Sequence, residues 1–183
     1  MDITQLILDD HHEQRRLFSI LEQVDRADTD TLSAVWGRLA AFLDLHAEAE
    51  EEIFYPALLQ VGRRGAEDET LDAIGDHNEI RDGVHDAARH PLGSDAWWAA
   101  VGQARAANDE HMAEEEREGL TDFRRQASLQ LRHDLAVRFA AFEARHFAGV
   151  PAVDKDPAAY VREFEPADGG ADGSLGIGSL KGS

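Results

Sequence analysis

Apolar residues recur every three or four positions along most of the first 148 residues, and this spacing is typical of amphipathic α-helices. The pattern predicts four long helices that begin near Asp2, Thr31, Glu69 and Asp95 and are joined by short polar segments. Four consecutive helices with short connections pack most simply as an up-down-up-down four-helix bundle. We therefore predict an all-α fold in which residues 1–120 form the bundle.

The chain beyond the bundle is predicted to extend it. A further amphipathic helix is expected over residues 121–148, packed on the bundle through apolar residues such as Leu135. The composition then changes to proline and glycine, which predicts a tail over residues 149–183. Within that tail we expect a short helix at 157–164 and a flexible remainder.

Two of the predicted helices carry polar residues at positions that the periodicity assigns to the core. In the second helix the inward positions are Val35, Leu39, Phe42, His46, Glu50 and Ile53, and in the fourth they are Trp97, Val101, Ala104, Asn108, His111 and Glu115. Each helix thus places a histidine and a glutamate four residues apart on one face.

Two further histidines fall on the inward faces of the other two helices. His11 lies early in the first helix and His77 lies early in the third, whereas the two histidine–glutamate pairs lie late in the second and fourth. Alternate helices of an up-down-up-down bundle run in opposite directions, so all these positions fall at one level. The sequence therefore predicts a buried cluster of four imidazoles and two carboxylates.

Composition limits the chemistry of such a cluster. The chain has 37 acidic and 18 basic residues and a formal net charge of −19, which argues against binding to nucleic acid or to anionic membrane surfaces. The absence of cysteine excludes disulfides, thiolate metal sites, iron–sulfur clusters and thiol catalysis. The first residues lack the basic start and apolar run of a signal peptide, so we expect a cytoplasmic protein. We expect either a monomer or a homodimer.

Ionised carboxylates are costly to bury unless a cation accompanies them, and only Arg81 lies close to the predicted inward faces. Four imidazoles and two carboxylates exceed the needs of one tetrahedral zinc ion. They suit a pair of iron or manganese ions with a coordination position open to water, oxygen, peroxide or nitric oxide. A single histidine–glutamate pair four residues apart in a helix is common by chance, so the prediction of a metal site depends on the six residues together.

The remaining histidines are expected at the surface or near the ligands; they are His12, His85, His90, His133 and His146.

The segment after Glu50 leaves two interpretations of Tyr55 open. On an ideal helix Tyr55 faces away from His46, but Pro56 can distort the helix and turn the ring inward. Tyr55 is then either a phenol near or bound to a metal, or a packed core residue. Glu116 is an alternative to its neighbour as a ligand if the fourth helix is locally unwound.

The motifs together resemble the hemerythrin-like (HHE cation-binding) family over about the first 120 residues. The resemblance is carried by Asp10-His11, by His46 to Pro56 with its His-x-x-x-Glu start, by the lone His77, and by His111-x-x-x-Glu115. It implies a four-helix bundle around two non-haem iron ions bridged by two carboxylates and an oxo or hydroxo group. It also implies that the iron ligands are His11, His46, Glu50, His77, His111 and Glu115.

This sequence departs from the oxygen-carrying members of that family at two positions. The oxygen carriers have a second histidine four residues after the third-helix histidine, and this chain has Arg81 at that position. The carriers also use an aspartate five residues after the last histidine, whereas the expected ligand in this chain is Glu115, four residues after His111. Reversible oxygen transport is therefore not expected, and Arg81 can orient a bound peroxide or contact a bridging carboxylate. We expect reaction with peroxide, oxygen or nitric oxide. The alternatives are a non-enzymatic oxygen or iron sensor or carrier, and a partner-binding module that uses the segment after Leu120.

Overall fold

The structure, a computed structural model, describes residues 1–61 and 65–166, and these are helical with no strand. The helices are α1 (Ile3–Leu21), α2 (Thr29–Ala49), α3 (Tyr55–Val61), α4 (Ala66–Ala87), α5 (Asp95–Arg117), α6 (Gly119–Gln126), α7 (Leu129–Arg145) and α8 (Pro157–Phe164). Helices α1, α2 with its continuation α3, α4 and α5 form the bundle, which confirms the predicted fold class. Among the described helices none is both long and apolar enough to cross a lipid bilayer.

Side-chain caps begin most of these helices. Asp2, Asp28, Ser94, Ser128 and Asp156 each accept a hydrogen bond from a backbone N–H in the first turn of the helix that follows. Such a cap satisfies a donor that the helix itself leaves free and contributes about 1 kcal/mol. The starts of α1, α2, α5, α7 and α8 are therefore fixed by local polar chemistry.

The second predicted helix, which begins near Thr31, is interrupted. A π-helical turn, Glu50–Phe54, separates α2 from α3, and the Tyr55 N–H donates to the carbonyl of Glu50, five residues earlier. Pro56 has no N–H, and its ring would collide with the carbonyl four residues before it in a regular α-helix. The wider turn inserts one extra residue and rotates α3, so that Tyr55 is fully buried.

The hydrophobic core consists of two clusters at different heights along the bundle. One contains Ile3, Ile7, Phe54, Tyr55, Leu58, Ile74, Phe123 and Phe139, and the other contains Leu17, Phe18, Leu32, Trp36, Leu39, Ile80, Trp97 and Val101. On α1, α2 and α4 the predicted histidine ligand lies between the residues of one cluster and those of the other, and on α5 the ligands lie between the second cluster and the residues that α6 adds to the first. The polar layer is therefore enclosed above and below by apolar packing.

Helices α4 and α5 lie in close contact at Gly83. A Cβ atom at that position would lie 2.8 Å from the Cβ of Ala104, so only glycine fits without a shift of the backbone. Gly83 follows His77 by six residues and Ala104 precedes His111 by seven, so this close approach lies about two helical turns from both histidines.

The segment predicted as one helix over 121–148 is divided into two. Ala127 is extended and Ser128 caps α7, so α6 and α7 meet at an angle. Helix α7 packs on α1 and α2, and the short helix expected at 157–164 is present as α8, packed on α4. The remainder of the predicted flexible tail, 167–183, lies outside the described residues.

Candidate metal centre

The six predicted ligands converge at the middle of the bundle. All are at most 4% exposed, and ligand atoms of His11, Glu50, His111 and Glu115 all lie within 4.8 Å of one another. The remaining two histidines join the cluster through Glu50, as described next. Four different bundle helices thus supply the cluster, as the predicted topology requires.

Glu50 occupies the centre of this cluster. Its Oε1 lies 3.1 Å from His46 Nε2, while its Oε2 lies 3.3 Å from His77 Nε2 and 3.8 Å from His111 Nε2. Glu115 takes a similar position beside the fourth imidazole, with Oε2 3.3 Å from His11 Nε2. The two oxygens of Glu50 therefore face two different groups of imidazoles.

Several buried atoms in this cluster lie at ion-pair distance from one another but make no hydrogen bond of good geometry. They are both carboxylate oxygens of Glu50, Oε2 of Glu115, and Nε2 of His11 and of His46. Each unsatisfied buried polar atom costs about 1–3 kcal/mol, so a concentration of them in one place requires an explanation. All are imidazole nitrogens or carboxylate oxygens, the donors that iron, manganese and zinc accept. The residues present therefore fit a metal centre.

Each imidazole turns its second nitrogen toward a carboxylate. The pairs are His11 Nδ1 with Glu116 Oε1 at 3.0 Å, His46 Nδ1 with Asp10 Oδ2 at 3.0 Å, His77 Nδ1 with Glu51 Oε1 at 2.7 Å, and His111 Nδ1 with Asp76 Oδ2 at 3.6 Å. A carboxylate at Nδ1 fixes the ring orientation and leaves Nε2 free to bind a metal. This arrangement is typical of histidines that serve as metal ligands.

These carboxylates also link the helices into a closed ring. Asp10 of α1 faces the histidine of α2, Glu51 after α2 faces that of α4, Asp76 of α4 faces that of α5, and Glu116 of α5 faces that of α1. Helical periodicity assigns no role to the first three of these acids. A signal for them does exist, because each acid is the immediate sequence neighbour of a predicted ligand.

Glu116 does not take the place of Glu115 in the cluster. Helix α5 stays regular as far as Arg117, so the local unwinding that would turn Glu116 inward does not occur. Glu116 instead bonds to His11 and accepts a hydrogen bond from Arg15 at 2.7 Å. These contacts lower the pKa of Glu116 to about 2, the hydrogen bond with His11 being the largest cause.

Arg81 contacts a different carboxylate from the one expected. Its guanidinium is buried and donates to Glu51 Oε1 at 2.8 Å, so Arg81 reaches the partner of His77 and not the central Glu50. Lys155, in the segment before α8, binds the other oxygen of Glu51 at 2.5 Å. Burial disfavours the charged form of Glu51, but the hydrogen bond with His77 and these two cations outweigh it and lower its pKa to about 2.

Tyr55 faces the cluster from the start of α3. Its hydroxyl donates to Glu115 Oε1 at 2.8 Å, which leaves Oε2 of that carboxylate on the side of His11. Burial and the nearby carboxylates raise the pKa of Tyr55 well above its usual value, so the hydroxyl keeps its proton. In the described structure Tyr55 thus acts as a hydrogen-bond donor to a predicted ligand.

The pKa shifts of the groups in this layer favour positive charge on the imidazoles and negative charge on the central carboxylate. Burial opposes protonation of His46 and His111, but adjacent carboxylates outweigh it, raising the pKa of His46 well above its usual value and that of His111 to about 10. Burial likewise opposes ionisation of Glu50, yet the surrounding imidazoles hold its pKa well below the usual value. The layer therefore binds positive charge, which a metal ion supplies when it replaces those protons.

The other histidines lie outside the cluster, as expected. His12, His85 and His133 are exposed, and His90 and His146 are partly buried elsewhere. The Nδ1 of His146 bonds to the backbone carbonyl of Phe142.

Comparisons with known proteins agree with this geometry. The profile of the hemerythrin HHE cation binding domain matches residues 2–123, which is most of the chain. A crystal structure of a hemerythrin HHE cation binding domain-containing protein from Mycobacterium kansasii has the same fold, with a TM-score of 0.68 and 18% sequence identity over 88% of this chain and 98% of that one. No curated protein sequence gives a significant match. Because the profile covers the bundle and the residues that converge within it, the chain belongs to the hemerythrin HHE cation-binding family.

Proposed function

We propose that this protein holds two iron ions in the polar layer of the bundle and reacts there with small oxidants: peroxide, oxygen or nitric oxide. The ligands in this proposal are His11, His46, Glu50, His77, His111 and Glu115. The observation that carries it is the group of buried donor atoms without hydrogen-bond partners, all directed toward one another.

The position of Glu50 supports two ions in preference to one. One oxygen of Glu50 lies beside the imidazole of α2, and the other lies beside the imidazoles of α4 and α5. A carboxylate shared in this way suits a bridge between two ions, whereas a single ion uses one side of it. Six protein donors also leave two six-coordinate ions unsaturated, which gives a small ligand a place to bind.

The surrounding residues hold the ligands and cover the polar layer with apolar side chains above and below. Iron, when bound, supplies the redox chemistry. The chain supplies orientation through the four carboxylates at Nδ1, and the Tyr55 hydroxyl holds a proton at Oε1 of Glu115. The two apolar clusters on either side exclude bulk water, which strengthens the electrostatic interactions inside the layer.

Metal content and an ultraviolet–visible spectrum of aerobically purified protein test this proposal first. We expect about two iron ions per chain and oxygen release on addition of peroxide. Both should be lost in His111→Ala and in Glu115→Ala. The matched controls are His133→Ala and Glu110→Ala, which change exposed residues of the same types and should retain both properties.

Two results would redirect the proposal. Less than one iron per chain together with stoichiometric zinc would overturn the redox function. Reversible, stoichiometric oxygen binding without turnover of peroxide would instead indicate a sensor or carrier.

A further inference from the structure

A cavity of about 220 Å³ lies between α4 and α5 and reaches the metal centre. Tyr55, His111 and Glu115 line its inner part. Because water occupies roughly 30 Å³ per molecule in the liquid, this space is large enough for a metal ion with several of its water molecules. The cavity thus connects the buried layer to the outside of the bundle.

The outer part of the cavity is lined by carboxylates. Asp68, Glu69 and Asp72 approach from α4, and Glu114 and Glu118 approach from α5 and its end. Clefts lined by charges of one sign focus the electric field and raise the local concentration of ions of opposite sign. This lining therefore attracts cations and disfavours anions.

Among these acids, Glu69 packs beside the buried ligand Glu115. A Cβ atom at Gly119 would lie 2.9 Å from Glu69 Oε1 and 3.4 Å from Glu115 Cγ, so both glutamates pack against the same point of the α5–α6 junction. Glu69 Oε1 is buried without a hydrogen-bond partner. The same holds for Oε2 of Glu115, a residue that is only 4% exposed. Unpartnered carboxylate oxygens thus occur both along the cavity and at its inner end.

We propose that this cavity is the route by which a hydrated divalent metal ion reaches the centre, and that Glu69 binds the ion transiently before it passes to Glu115. A neutral oxidant gains nothing from a lining of carboxylates, whereas a divalent cation is drawn along it. The inference rests on the proposed metal function and assigns a role to acidic residues outside the six ligands.

The rate of metal uptake tests this route. Metal-free full-length protein is mixed with Co²⁺, or with Fe²⁺ without oxygen, and uptake is followed by absorbance in a stopped-flow instrument. The test variants are Glu69→Gln and the triple variant Asp68→Asn, Glu69→Gln, Asp72→Asn. We expect uptake about tenfold slower in the triple variant, in line with electrostatic steering, with a weaker dependence on salt and the same final metal content.

The control removes the same charge from another face of α4. Glu79→Gln, Asp82→Asn, Asp86→Asn changes three acids that line a separate surface cavity away from the centre, and its uptake rate should stay close to that of the unaltered chain. Equal rates in the two triple variants would overturn the proposed route. A lower final metal content in Glu69→Gln would also overturn it, since Glu69 would then be a permanent ligand. Failure of the unaltered chain to bind metal would refute the proposed function instead.

Discussion

The hydrogen bond between Tyr55 and Glu115 offers a sharp test of how the site is held. Tyr55→Phe removes one hydroxyl and leaves the ring, which packs edge-on against Phe54, in place. The change deprives Glu115 Oε1 of its donor in a residue that is only 4% exposed. The substitution therefore removes a hydrogen bond to one predicted ligand, Glu115, and leaves all six ligands unchanged.

The size of the effect follows from the character of the bond. A hydrogen bond to a charged group contributes about 1.5–3 kcal/mol, and burial of the acceptor places this bond in the upper part of that range. Since about 1.4 kcal/mol corresponds to a factor of ten, Tyr55→Phe should weaken metal binding about 10–100-fold. The ion content at saturating metal should not change.

Competition with a chelator of known affinity measures this directly. The chain offers a matched control, because its second tyrosine, Tyr160, is also buried and donates to the backbone carbonyl of Glu51 without touching the cluster. Tyr160→Phe should lower the free energy of unfolding by about 1 kcal/mol and leave metal affinity within about twofold.

Two outcomes would refute the reasoning. Unchanged metal affinity in Tyr55→Phe would show that the hydroxyl does not support the ligand. A phenolate-to-iron charge-transfer band that disappears in Tyr55→Phe would show that the phenol binds iron itself and does not act as a donor to Glu115.

Three further predictions concern the surroundings of the site. Lys155→Met should destabilise the fold by about 1 kcal/mol and speed proteolysis near α8, because the partly exposed ammonium no longer pairs with Glu51. Urea unfolding and limited chymotrypsin digestion measure this, since the substitution itself removes a trypsin site. Gly83→Ala should destabilise the fold by about 1–3 kcal/mol by forcing α4 from α5, whereas Gly75→Ala, with open space at its Cβ, should be neutral or stabilising in the same unfolding assay. Metal-free protein should lose stability as the pH rises from about 6.5 toward about 10, because the raised pKa of His111 means that the folded state holds this proton more tightly than the unfolded state. Metal affinity, measured by chelator competition, should rise over the same pH range because the imidazole must lose that proton before it can bind a metal.

The level at which the ligands meet could be predicted because it depends on two simple properties. A histidine and a glutamate four residues apart share a helix face, and alternating helix directions bring early and late positions together. The six predicted inward positions of the fourth helix, the first being Trp97 and the last Glu115, are all buried. Before His46 in the second helix, the buried apolar residues include Leu32, Trp36, Leu39 and Leu43, whereas Val35 and Phe42, both predicted to face inward, are only partly buried. The spacing of apolar residues in this helix fits either set of positions, and contacts with the other helices decide which set is fully buried.

Other features could not be predicted because they depend on contacts between distant residues. Pro56 indicates a distortion, but a π-helical turn and a kink are equally compatible with a missing N–H, and only the packed position of Tyr55 distinguishes them. The pairing of Arg81 with Glu51 depends on which carboxylate the rotated turn presents to α4. Lys155 lies 104 positions from Glu51, beyond the reach of any local pattern.

The ring of acid–histidine contacts ties the register of the whole bundle to the chemistry at its centre. Each helix sets the angle of a ligand on the next one, and the last helix returns to the first. A rotation of any one helix by a single residue, about 100°, would displace its own ligand and also release the imidazole on its neighbour. Errors of alignment are therefore not confined to one helix, and the centre can assemble only when all four are in register.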